Sequence, residues 1–151
     1  MLGTPEQQRL GLDRLEILAR GIRDPAKCGH KEFDFSQFND SELPQCGTAG
    51  CMAGECPIFF PEDWMWHNNG YPILSKSGQL HRGLMEFFFL TNPEMQHLFI
   101  PYGQDPFYGG VMLNWGATRY QVSDNALEFI WREREKLAIE KNDLLATITG
   151  P

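Results

Sequence analysis

The chain has 151 residues, 42% of them hydrophobic and 22% charged, with a formal net charge of −7. This is the composition of an ordinary globular chain of one domain, neither disordered nor membrane-like. The acid surplus argues against non-specific binding to nucleic acid or anionic membrane, which depends on Lys and Arg. No apolar run approaches the roughly 20 residues that span a bilayer. The segment Met1 to Gln8 lacks the basic and apolar stretches of a secretory signal. The expected setting is reducing cytoplasm, where the four cysteines are free thiols or metal ligands.

The first helix is predicted over about 5–21. Thr4 is a capping residue, Pro5 takes the first helical position and Gln7 completes a capping box. Leu15, Leu18 and Ile22 recur at helical spacing, and Asp24-Pro25 marks the stop. Residues 24–48 read as a long connection in which Phe33, Phe35 and Phe38 pin an extended piece to the core. Pro57 is expected to end the helix before it, and 57–72 to form an aromatic loop. Ile73-Leu74 and Gln79-Leu80, around Ser75-Lys76-Ser77-Gly78, have the pattern of a small hairpin. Residues 82–90 are apolar nearly all round, as in a buried helix. Thr91 and Glu94 start another helix, which Pro101 stops, and 101–116 form a Gly-, Pro- and Tyr-rich loop. Thr118 and Gln121 head a last helix over about 119–147, on the order of 40 Å long at 1.5 Å per residue. Its middle, Arg132 to Lys136, is solvated, and its second half is expected to project or to pair with a partner. The fold expected is mainly α: four or five helices, long aromatic loops and room for one short β-hairpin.

The densest motif runs from Gln45 to Pro57 and carries Cys46, Cys51 and Cys56 at intervals of five. Three readings compete. In the first, Thr48 caps a two-turn helix over 49–55, whose Ala49, Gly50, Ala53 and Gly54 admit a close neighbour while the cysteines pack as small hydrophobes. In the second, Cys28, Cys46, Cys51 and Cys56 hold zinc. Positions five apart on a helix diverge by about 140°, however, so loop and helix would have to fold back. In the third, Cys51 sits in the first turn of the short helix, where the dipole favours a thiolate, and Gln45 points its amide at an oxyanion.

The third reading resembles the papain-like cysteine peptidases. Gln45 stands six residues before Cys51, Asn114-Trp115-Gly116 is similar to the end of their Asn motif, and His97 lies 17 residues before Asn114. The resemblance implies Cys51 as nucleophile, His97 as base and Asn114 as orienter. This chain separates Cys51 from His97 by 46 residues, where the family uses about 130–150.

A second resemblance covers more of the chain. Cys46-Gly47-Thr48-Ala49-Gly50-Cys51-Met52-Ala53-Gly54 is similar to a Cys-Gly-Thr-x-x-Cys-x-Ala-Gly segment of small bacterial and phage proteins. Those proteins resemble this chain also in an N-terminal helix, helices ending in Leu-Phe as at Leu98-Phe99, and a Thr-headed last helix. Cys28, Cys56 and the aromatic loop 57–72 are additions. The resemblance implies a phage or prophage accessory role, in host cytoplasm or within a phage particle.

Trp64, Trp66, His67, Tyr71 and Trp115 fall in expected loops, where aromatics serve as contacts for a protein partner or a flat ligand. No Gly-rich phosphate loop, serine nucleophile elbow or basic stripe with interleaved aromatics is present in the sequence. The leading expectation is a non-enzymatic interaction protein without cofactor, making contact through 57–72 and the last helix with a protein partner or a second copy. A small cysteine hydrolase and a zinc-stabilised module follow it.

Overall fold

The first helix, α1 (Pro5–Gly21), opens with both halves of its capping box formed. Thr4 Oγ1 accepts from the Gln7 N–H, and Gln7 Oε1 accepts from the Thr4 N–H at 2.8 Å. In this computed structural model the described residues are 1–29, 32–33, 49–68, 70–100 and 117–149. Four further helices follow: α2 (Cys56–Phe59), α3 (His81–Phe88), α4 (Asn92–Phe99) and α5 (Arg119–Thr149). The protein is mainly α.

Short strands complete it. β1 (Glu32–Phe33) pairs parallel with β2 (Ala49–Gly50), and β3 (Trp64–Trp66) pairs antiparallel with β4 (Pro72–Leu74). The hairpin is displaced from the one expected. β4 turns back on the aromatic segment before it, and the Leu74–Gln79 contact is a single bridge. Residues 57–72 are therefore not one loop, since they hold most of α2 and all of β3.

The core forms where α1 lies between α5 and α3. Leu12, Leu15, Leu18 and Ile22 of the α1 stripe pack with Leu84 and Phe88 of α3, Leu98 and Phe99 of α4, and Val122, Ala126, Phe129 and Ile130 of α5. These side chains lie at helical spacing on their own elements, so one apolar stripe from each helix meets the others. Phe88 takes part in a ring cluster, edge-on to Phe87 at 5.0 Å and stacked on Phe99 at 5.6 Å. α3 stops at Phe89, whose φ of 55° is left-handed, the conformation in which helices commonly end. Two residues later Thr91 and Glu94 form the capping box of α4. Glu94 is buried and also accepts from the Met1 ammonium at 3.1 Å, tying the first residue to the start of α4.

α1 and α5 run antiparallel. Arg23 near the end of α1 binds Asp124 near the start of α5, while Asp13 and Glu16 bind Arg134 farther along. Leu137 is the last buried side chain of α5, and residues 138–149 are all exposed.

Candidate functional site

The cysteine segment departs from its expected local structure. Ala49 and Gly50 are strand, the chain tightens into a 3₁₀ turn at Ala53–Glu55, and only then does α2 begin. Thr48, the expected cap, lies outside the described residues, but a strand at 49–50 leaves no helix for it to start. The pairing with Glu32 and Phe33, made by a part of the chain far off in sequence, overrides the local preference. Pro57 is likewise corrected: it stands in the first turn of α2, where its missing N–H breaks no helical bond.

This geometry moves Cys51 out of any helical first turn. Its side chain is 1% exposed, and Met52, Ala53 and Cys56 around it are wholly buried. Burial pushes the Cys51 thiol up to about 12, against backbone N–H groups that pull the other way. Burial also raises Cys56 well above the ordinary thiol range, with the neighbouring Cys51 and Glu55 adding to the effect. Cys28 is half-buried and pushed up to about 11, first by desolvation and then by Glu55, with Arg119 opposing. Its sulfur donates to the Asp24 carbonyl at 3.4 Å and accepts from Arg119 Nη1 at 3.9 Å. A thiol nucleophile needs a depressed pKa and an approach from solvent. Cys51 has the reverse of both.

Glu55 is the charged group of this segment. It is 2% exposed and accepts from the Gly29 N–H at 2.7 Å. Among the described residues no three His, Cys, Asp or Glu side chains converge as a metal site would require. Cys46, the fourth sulfur of the zinc reading, lies outside the described residues, as do Gln45, Asn114 and Trp115. His97 lies on the inner side of α4, 6% exposed, and its carbonyl accepts from Asn125 Nδ2 of α5 at 3.3 Å.

The aromatic candidates divide. Trp64 is a core residue and not a surface contact: it is 2% exposed and packs edge-on against Phe87 at 5.7 Å. Its neighbour Met65 is half exposed, and Trp66 is half-buried, the alternation a strand imposes. His67 and Tyr71 stack at 4.5 Å with an angle of 13° between their rings, while the His67 N–H donates to the Tyr71 carbonyl. Trp66, His67 and Tyr71 thus end the hairpin as a preformed aromatic tip.

A second surface lies along α1 and α5. Arg134 reaches Asp13 at 2.8 Å and also binds Glu16, which Arg20 holds from its own helix at 2.7 Å. Beyond this network Pro5, Glu6 and Arg9 face Leu137, Lys141 and Leu144 across a shallow groove. Trp131 is 64% exposed, Leu144 61% and Ile148 70%, with Ile139 and Leu145 about half exposed. The sequence carried a signal for this surface, the continuation of the apolar stripe past Lys136, but not the point where α1 ceases to cover it.

Compared with known protein families, curated proteins and solved structures, the chain finds no match. No helix among the described residues is long and apolar enough to cross a membrane.

Proposed function

We propose that this protein is a non-enzymatic interaction protein, of the accessory kind that its resemblance to small phage and prophage proteins implies. It acts in host cytoplasm or within a phage particle and makes contact through the end of α5 and the aromatic tip of Trp66, His67 and Tyr71. The observation that carries the reading is the exposure of the whole of 138–149 with Ile139, Leu144, Leu145 and Ile148 among them. Large apolar side chains clustered on one exposed element mark contact sites, whereas single ones scattered over a surface do not. The tip adds a second contact that needs little ordering, because His67 already rests on Tyr71. The buried cysteine segment supports the non-enzymatic side of the reading, its raised thiols being poor nucleophiles.

A photo-crosslinking side chain at position 148, used in the cells that carry the protein, tests this. A discrete adduct with another protein, weakened by Leu144→Glu and absent with the crosslinker at exposed Gln79, is the expected outcome. Equal labelling from positions 148 and 79 would remove the reading.

A further inference from the structure

We propose that the cleft between α1 and the base of the β3–β4 hairpin binds a small zwitterion with an apolar side chain, an amino acid or a short peptide. Arg14 takes its carboxylate, and Glu62 and Asp63 take its ammonium.

The walls of the cleft follow from the packing. α1 and α3 approach closely at Gly11, which faces the Phe88 carbonyl. Arg14, about one turn farther along α1, therefore meets the end of α3, where the last carbonyls lie beyond the helical ladder. Its Nη1 donates to the Phe87 carbonyl at 2.9 Å, and its guanidinium lies 4.1 Å from the centroid of the Phe87 ring. The opposite wall is the base of the hairpin. The Ser75 N–H donates to the Asp63 carbonyl at 2.8 Å, which holds Glu62 and Asp63, before β3, beside Lys76, after β4. Between these walls lies a cavity of about 690 Å³, with Leu74 and Phe89 as its apolar lining. Small-molecule sites run from roughly 300 to 1,000 Å³.

Charge selects the ligand. Arg20, Arg23, Arg82, Arg132 and Arg134 each hold a carboxylate of this chain. Arg14 is half-buried, in a chain with 20 acidic residues against 13 basic, and among the described residues it holds none. Lys76, Glu62 and Asp63 are likewise without an ion pair among the described residues, although they line the same cleft. Glu86, the remaining acid there, is taken by Arg82 at 3.1 Å.

The bond to Phe87 uses one N–H of Arg14 and fixes the plane of the guanidinium. The rest of the fork is left to an acceptor from outside, and its geometry matches a carboxylate. Because the fork is already held, little freedom is lost on binding. A simple anion would meet repulsion from Glu62 and Asp63. A ligand that also carries an ammonium meets both signs, and its apolar side chain rests on Leu74 and Phe89.

NMR titration of the full chain provides the test, with L-phenylalanine, glycylphenylalanine, phenylalanine amide and N-acetylphenylalanine as the four compounds. Saturable shifts at Arg14, Asp63 and Lys76 with phenylalanine or glycylphenylalanine are the expected result, and which of the two binds tighter distinguishes amino acid from peptide. The amide, lacking the carboxylate, and the N-acetyl compound, lacking the ammonium, should each bind at least about tenfold more weakly, as the loss of a charge-assisted hydrogen bond predicts. Arg14→Lys keeps the charge and loses the fork, so it should weaken binding of both zwitterions. Asp63→Asn, at an exposed position, should weaken phenylalanine and leave N-acetylphenylalanine unchanged, with the thermal melt of the free protein unaltered. No saturable shift with either zwitterion, equal binding of all four compounds, or binding indifferent to both substitutions overturns the proposal.

Discussion

Ser123 of α5 donates its hydroxyl to the carbonyl of Ala19 in α1 at 2.7 Å, in a buried contact between residues 104 apart. The Arg23 N–H, which would continue the helical ladder to Ala19, goes instead to the Arg20 carbonyl at 3.3 Å. Ser123 thus satisfies a carbonyl that the end of α1 leaves open. Arg119 does the same for Ile22, donating to its carbonyl at 3.2 Å. One helix start caps another helix end, and this fixes how far α1 slides along α5. Ser123→Ala leaves the buried Ala19 carbonyl unpaired and removes an acceptor from Arg23, which reaches Ser123 Oγ at 3.2 Å. An orphaned buried carbonyl costs about 1–3 kcal/mol, while Ala gains a few tenths over Ser as a helix former. The expected net loss is about 1 kcal/mol in urea unfolding, and an unchanged midpoint would remove the capping role.

Gly11 decides how closely α1 and α3 approach. A Cβ built there lies 2.2 Å from the Phe88 carbonyl oxygen. In an exposed helix interior, Gly→Ala stabilises by about 1 kcal/mol. Here the obstacle is backbone and cannot swing aside, and forcing extra volume into a packed interior costs about 1–3 kcal/mol. The clash outweighs the helix gain, so Gly11→Ala is expected to lower the melting temperature. A rise would show that α3 yields freely at this contact.

The parts of the fold legible in the sequence are those that a few neighbouring residues determine. Thr4 with Gln7, Thr91 with Glu94 and Thr118 with Gln121 each make both bonds of a capping box, so these helix starts needed no tertiary knowledge. The cysteine segment was misread because its conformation is set from a distance. Ala49 and Gly50 become strand by pairing with Glu32 and Phe33, which no spacing within the motif reveals. Trp64 was misplaced for a related reason. A strand of three residues inside an aromatic run shows too little alternation to separate the inward Trp64 from the outward Met65. Of the candidate surface, the apolar side of α5 was legible from periodicity. Where α1 stops covering it was not, because that depends on the antiparallel register set by Arg23–Asp124 and Arg134–Asp13.

The network that sets this register carries a pH dependence. Hydrogen bonds from Arg20 and then Arg134 lower the pKa of Glu16 against the opposing effect of burial. Asp13 shares Arg134. A carboxylate with a lowered folded-state pKa stabilises fully above its unfolded pKa, near 4.3, and loses that contribution as pH falls through the folded value. Solvent reaches these groups, so the gain is about 0.5 kcal/mol. Glu16→Gln should therefore melt slightly below the parent at neutral pH and together with it in strong acid. A gap that stays constant across the whole range would assign the effect to packing.

The cysteines supply the sharpest contrast between a packing segment and a reactive one. Alkylation requires thiolate and access, and both fall in the order Cys28, then Cys51 and Cys56. In a Cys46→Ser background at pH 8, Cys28, with its thiol at about 11, should react roughly a hundredfold more slowly than a free cysteine. Its rate should still be climbing at pH 10, because the thiolate fraction grows tenfold per unit until the pKa is reached. Cys51 and Cys56 are buried, so they should react only as fast as the surrounding structure opens, and urea should bring both into reaction together at the unfolding transition. Peptide mapping of the alkylated chain separates the three. Labelling of native Cys51 at the rate of a free thiol, with a plateau near neutral pH, would show an accessible thiolate and return the segment to chemistry.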